Sequence, residues 1–332
     1  MSRYFFGLDG GGSKTHIVLY EVDGGGFDLY AGPQSNYEGM PGGYRELAVV
    51  LKKMMTEILG RNGIGAGDIV RAAFGMGGVD TKKQHREISR IISGLGFTDF
   101  ILANDAYLGV KAGSSNGFGI SCVNGSGFSV AGIDDGGGML QIGGIGHLTG
   151  DRGGSFWLVP EAVSYAYGEL FKRYEPSELT GMITRELGAG SKDDFTEELH
   201  RRLNEDDSSF RLAVSKMVFT ASKNGDRAAR ALLKKAGESF GESVLAVLDD
   251  LNFTREPEII LTGSLFQKQP DSYIVESLKI YLDKHYGKPF AARVLDAPSV
   301  LGALVWAAGD EGIGKRDELK NKVNRRMTQD AG

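Results

Sequence analysis

Twice in this chain an apolar strand enters a glycine-rich loop and leaves it as a second apolar strand. The first unit is residues 4–8, then Asp9-Gly10-Gly11-Gly12-Ser13-Lys14-Thr15, then residues 17–20, followed by a turn at 23–26. The second is residues 118–123, then Asn124-Gly125-Ser126-Gly127, then residues 128–133, followed by a turn at 134–138. The same order of parts at two places predicts an internal duplication. It also excludes two common nucleotide motifs. A Walker loop and a dinucleotide-binding loop both lead from a strand into a helix, and the Walker spacing of glycine and lysine is absent.

Between the two units the apolar period predicts a helix at 44–59, a strand at 69–76, a helix at 82–93 and a strand at 100–103, the alternation of an α/β lobe. Beyond residue 151 the pattern turns helical, at 156–171, 177–187, 193–203, 210–223 and 227–251. A strand at 258–261, a helix at 270–285, a strand at 290–295 and a small-residue helix at 299–308 complete it. The expected organisation is an N-terminal lobe at 1–112, on which residues 298–312 pack back, and a helix-rich C-terminal lobe at 113–297. Residues 313–332 form a charged tail, either helical or frayed.

Composition narrows the function. At 332 residues, with 41% hydrophobic and 24% charged residues, the chain has the profile of an ordinary globular protein of two domains. A net charge of −5, with no basic block outside the stretch from Lys315 to Arg326, argues against nucleic acid. No apolar run approaches the roughly 20 residues of a membrane span, and the first residues lack a secretory pattern. One cysteine, Cys122, excludes an intrachain disulfide and a CxxC zinc knuckle. A reducing compartment fits best, so a cytoplasmic protein is expected.

The first loop suits an anion. Glycines without a Cβ let backbone N–H groups come close, and Ser13, Lys14 and Thr15 add donors and one positive charge. Phosphate is the natural guest of Gly11, Gly12, Ser13, Lys14 and Thr15. Asp9, at the end of its strand, can hold Mg2+ while the metal bridges phosphate oxygens, or it can cap a tight turn. Gly125, Ser126 and Gly127 are good hairpin chemistry on their own. They gain meaning from the pairing, because two such hairpins can grip a polyphosphate from opposite sides. Gly263 and Ser264, after the strand at 258–261, can then receive the nucleoside.

Asp105 follows a strand at the carboxyl end, where open α/β sheets place their ligands. It can accept a proton from an attacking hydroxyl, or cap the helix that starts near Ala106. Residues 143–154, GGIGHLTGDRGG, are too glycine-rich for regular structure and predict a binding loop. In it Asp151 bonds substrate hydroxyls or caps the following helix, and His147 makes a structural hydrogen bond.

Asp9 through Thr15, Asn104-Asp105-Ala106, Asn124 through Gly127, Gly146-His147 through Gly153 and Thr262-Gly263-Ser264 together resemble the N-acetylglucosamine kinase family. That family sits in the BadF/BadG/BcrA/BcrD ATPase group of the actin, Hsp70 and sugar kinase superfamily. The resemblance runs in order from about residue 4 to residue 308. It implies an α/β chain with a duplicated ribonuclease-H-like (actin-like ATPase) fold, two lobes and a central cleft. The implied reaction is phosphorylation of an amino sugar at its 6-hydroxyl by ATP with Mg2+. N-acetylglucosamine is the first acceptor, with N-acetylmuramic acid or glucosamine beside it.

By the same resemblance Asp105 is the general base, Asp9 organises Mg2+, and Gly12 to Thr15 and Gly125 to Gly127 hold phosphates. Gly263 and Ser264 match the nucleoside pocket, Asn36 and Asp151 match sugar-contacting positions, and Gly144, Ile145 and Arg152 stand on the sugar side. A homodimer is expected. Three departures stand out: animal members carry Trp at Ile145, Glu at Arg152 and a Gly-Thr-Gly-Ser loop where Gly125-Ser126-Gly127-Phe128 stands. An arginine at 152 could pair with the acidic lactyl group of N-acetylmuramic acid.

Three rivals fall away, one of them the zinc-binding repressor and kinase group, whose cysteine-rich loop cannot be written with one cysteine. An activator of a radical dehydratase holds its cluster through two cysteines per subunit, which Cys122 alone cannot supply. A non-catalytic sugar sensor would have no need of both Asp9 and Asp105.

Overall fold

The computed structural model describes residues 3–204, 207–269 and 272–330. Two five-stranded mixed sheets carry the fold. In the first, β1 (Tyr4–Gly10), β2 (Thr15–Glu21) and β3 (Phe27–Gly32) form an antiparallel meander. There β4 (Ile69–Met76) pairs parallel to β1, and β5 (Phe100–Ala103) parallel to β4. In the second, β6 (Gly119–Asn124), β7 (Phe128–Ile133) and β8 (Met139–Gly143) form the meander. There β9 (Glu258–Thr262) and β10 (Ala291–Val294) are the parallel pair. The orders are β3-β2-β1-β4-β5 and β8-β7-β6-β9-β10, the same strand for strand. The duplication seen in the two hairpins therefore extends to whole sheets.

The sequence reading missed β3 and β8, stopping at the turns that lead into them. Both lie at sheet edges, and only Leu29 of β3 and no residue of β8 is fully buried, so neither shows the alternation that marks a half-buried strand.

The helices of the first lobe are α1 (Gly43–Arg61), α2 (Lys82–Gly94) and the short α3 (Leu108–Gly113). Those inserted in the second are α4 (Gly154–Lys172), α5 (Glu178–Glu186), α6 (Lys192–Asn204), α7 (Ser208–Lys223), α8 (Arg227–Asp250), α9 (Ser264–Gln267) and α10 (Tyr273–His285). The chain ends in α11 (Val300–Gly314) and α12 (Arg316–Asp330).

Alternate residues of β1 and β2 face opposite sides, as the period of a strand requires. Phe6, Leu8, Ile17 and Leu19 are buried with α1 and α2, where the Phe6 ring lies 5.3 Å from Phe74 and 5.1 Å from Phe97. Phe5, Val18 and Tyr20 are buried on the other side with α11. Each such side chain contributes about 1.5–3 kcal/mol of burial.

The second core is larger and mostly helical, with Phe128 stacked on Phe240 at 4.2 Å beneath α4 and α8. The tail is a docked helix: Leu319 and Val323 of α12 are buried, and Lys320 Nζ donates to Asp296 Oδ2 at 2.5 Å. Gly309, with φ 60° and ψ −137°, breaks α11 one residue past the end expected for it. Among the described residues no helix is long and apolar enough to cross a membrane.

Candidate active site

The loop between β1 and β2 is closed by Gly11 N donating to Lys14 O at 3.1 Å, with Gly10 opposite Thr15 in the register. Gly12 and Ser13 at its tip line a cleft of about 1100 Å³. Thr15 does not take the phosphate-facing place expected of it. Its fully buried hydroxyl donates to Pro33 O at 2.6 Å and lies 2.8 Å from Ser35 Oγ, bracing the loop against the segment after β3. Asp9, Gly11 and Lys14 are outside the lining, Lys14 being exposed.

The matching loop between β6 and β7 lines the same cleft through Gly125, Ser126 and Gly127. The start of α4 holds it: Ser155 N donates to Gly125 O at 2.9 Å, Phe156 N to Ser126 O at 3.0 Å, and Gly154 N to Asn124 Oδ1 at 2.8 Å. Only glycine fits at 154. Its φ is +72°, and a Cβ there would stand 2.5 Å from the carbonyl oxygens of Ser126 and Gly127.

Gly263 is the second such position, with φ +87° and a Cβ site 2.6 Å from Asn124 O. It seats β9 against the hairpin and does not line the cleft, while Ser264 and Leu265 do. The structure thus gives Gly263 a packing role beside the cleft-lining Ser264.

Asn104 takes the capping place considered for Asp105. Its Oδ1 accepts from Ala106 N at 2.9 Å and caps the short turn after β5, so Asp105 is not the cap and its residue lines the cleft. Burial pushes the Asp105 carboxyl up to about 6, and the Asp80 carboxylate adds to this, offset by the backbone N–H groups of Asp105 and Ala106. Asp9 is pushed up to about 7 by burial and by Asp105, against a lowering from Lys14.

The far wall is made by Asn36, Gly77, Gly78 and Asp80 of the first lobe and by Gly144, Ile145 and Asp151 of the second. Asn36 Oδ1 accepts from Glu38 N at 3.0 Å. Asp151 is buried and does not cap α4: its Oδ2 accepts from Ile145 N at 3.1 Å and Gly146 N at 2.8 Å. Among the described residues Oδ1 has no partner.

Ile145 is 78% exposed at the mouth. Arg152 is exposed and outside the lining, between Asp151 and Gly153, which are in it. The arginine that lines the cleft is Arg211 of α7, whose guanidinium sits 5.2 Å from the Phe156 ring. The side chain of His147 lies outside the described residues.

The sequence reading also missed Asp80, Ser129 and Gln141, all in the lining. Asp80 carried the signal that found Asp105, since it follows Gly77-Gly78 at the carboxyl end of a parallel strand. Arg211 and Leu212 carried none, being ordinary positions of a helix.

Residues 6–307 match the sequence profile of the BadF/BadG/BcrA/BcrD ATPase family. The chain is 27% identical over 311 residues to the N-acetylmuramic acid/N-acetylglucosamine kinase of Clostridium acetobutylicum, covering 93% of this chain and 99% of that one. A structure from Chromobacterium violaceum described as a candidate N-acetylglucosamine kinase superposes with a TM-score of 0.68 at 23% identity, covering 91% of this chain and 98% of its own. A ROK family glucokinase from Streptomyces griseus, solved with glucose and AMPPNP, superposes with a TM-score of 0.52 at 16% identity, covering 92% and 98%.

Proposed function

Because the chain belongs to the BadF/BadG/BcrA/BcrD ATPase family, we propose that it is a sugar kinase that transfers the γ-phosphoryl group of ATP to the 6-hydroxyl of an amino sugar. The observation that carries this reading is the placement of Asp105 on the wall of a cleft that both glycine hairpins enter. Polyphosphate between the hairpins meets backbone N–H groups of Gly12, Ser13, Ser126 and Gly127. The nucleoside then extends toward Phe156, Leu212, Ser215, Ser264 and Leu265, which line the same cleft.

Asp105, poised at about 6, is mostly ionised near pH 7 yet basic enough to take the hydroxyl proton as the phosphoryl group leaves ADP. Asn36 and Asp151 offer acceptors to the other hydroxyls. Closure about the connections near 112–113 and 297–298 would exclude water.

Mg2+ fits this donor set. Two neighbouring carboxylates, Asp9 and Asp105, are both pushed upward, and a divalent cation relieves that repulsion. Among the described residues no cluster of three acidic, His or Cys side chains could hold a metal, in keeping with an ion that binds through one or two carboxylates, waters and phosphates. When bound, Mg2+ neutralises phosphate charge; Asp9 is the residue that would hold it.

Cys122 is buried inside β6, which leaves the dehydratase-activator reading without ligands. A lone buried thiol fits a reducing cytoplasm, and the homodimer implied by the resemblance is checked by sedimentation. The test of the reading is ADP release with N-acetylglucosamine, N-acetylmuramic acid and glucosamine side by side. Turnover with at least one supports it; ATP binding without transfer to any of them overturns it in favour of a sensor.

A further inference from the structure

Three polar residues of the cleft have no part in the chemistry above. Asp80 belongs to the first lobe, and its Oδ1 accepts from Asn104 Nδ2 at 2.9 Å and from Gln141 Nε2 of β8, in the second lobe, at 2.8 Å. Other side-chain hydrogen bonds between the lobes, such as Lys111 to Gly117 O and Arg316 to Gly113 O, join residues that do not line the cleft. Gly144, with φ +92°, folds over the pair so closely that a Cβ would sit 3.3 Å from Gln141 Nε2.

Ser129 of β7 is 9% exposed and lines the cleft, yet its hydroxyl has no hydrogen-bond partner. A buried hydroxyl without a partner is costly in a finished protein and calls for a ligand to complete it.

The sheet register places these groups together. Ser129 is opposite Gly143, and Ala131, two residues on, is opposite Gln141, so Ser129 and Gln141 share one face of the β7–β8 ribbon. That face is the one whose Ala131 packs against Ala103, Ala106 and Tyr107, the strand end and turn that carry Asp105. We propose that Ser129, Gln141 and Asp80 form a lobe-spanning floor under the acceptor sugar. Ser129 is a direct contact to a substrate hydroxyl or amide. Asp80 is a positioning residue, which holds the Asn104–Asp105 turn in place and ties it through Gln141 to the opposite lobe.

This rests on the sugar kinase reading, and the experiment separates the two. Acceptor KM, kcat and ADP affinity are measured for Ser129→Ala, Gln141→Leu, Asp80→Ala, Asp80→Asn and the pair Asp80→Ala/Gln141→Leu, with thermal midpoints alongside. Sugar binding without nucleotide is followed by the fluorescence of Trp157, which lines the cleft.

Ser129→Ala breaks no bond in the free protein, so its midpoint stays or rises, while acceptor KM rises about tenfold and ADP affinity holds. Asp80→Ala lowers kcat about tenfold or more, Asp80→Asn restores part of it, and the double variant is no worse than the poorer single one. An unchanged acceptor KM in Ser129→Ala, weakened ADP binding instead, or additive effects of Asp80→Ala and Gln141→Leu would each overturn the floor. A wild type that phosphorylates no sugar would overturn the kinase reading instead.

Discussion

Replacing Gly12 or Gly127 with alanine separates folding from phosphate binding. A Cβ at either position meets no atom within 4 Å, and neither backbone is left-handed. The folded protein should therefore tolerate both changes, with stability unchanged or raised by about 0.4–1 kcal/mol through a stiffer unfolded chain. In the complex the new methyl group stands where phosphate oxygens approach the backbone. Losing one or two hydrogen bonds to a charged group costs about 1.5–3 kcal/mol, or roughly tenfold to a hundredfold in affinity. Calorimetric titration with ADP and a thermal scan measure the two effects on the same samples. The reasoning is refuted if both variants fold as wild type and bind ADP as wild type, because the hairpins would then be turns and nothing more.

Gly154→Ala should behave in the opposite way, losing about 2–4 kcal/mol from a left-handed backbone and an overlap with Ser126 O and Gly127 O, seen as a lower thermal midpoint. Thr15→Val should lower the midpoint by removing the hydroxyl bonded to Pro33 and Ser35, yet leave ADP affinity within about twofold. Activity should fall about tenfold per pH unit below about 6, where Asp105 becomes protonated, as a kcat/KM profile would record. Because Asp9 is raised in the folded state, the folded form holds its proton better than the unfolded chain, and stability is lost as pH rises from about 4 through 7. Asp9→Asn should therefore raise the thermal midpoint at pH 8 and leave it unchanged at pH 4, while abolishing Mg2+-dependent turnover.

Much of the scaffold was legible because strand and loop signals were local. The twin hairpins, the parallel strands at 69–76 and 100–103 and the inserted helices each show in a window of ten residues. What escaped depends on partners far away in the chain. Asp80 matters because Gln141 and Asn104 meet it, and no spacing along the chain announces that meeting. Thr15 reads as a phosphate donor until Ser35 and Pro33 claim its hydroxyl. Gly263 reads as a ligand loop until the Asn124 backbone is found against it. Arg152 and Arg211 are alike in charge, and only the packing of α7 against the start of α4 tells which one faces the cleft.

The claim on which the account depends is that Asp105 accepts the proton of the acceptor hydroxyl during phosphoryl transfer. Its direct test is kcat of Asp105→Asn at saturating ATP, Mg2+ and amino sugar, with ADP affinity measured on the same preparation. The account predicts a fall of about 10²–10⁴-fold in kcat with ADP affinity nearly unchanged. A variant that keeps turnover within about tenfold of wild type would contradict it.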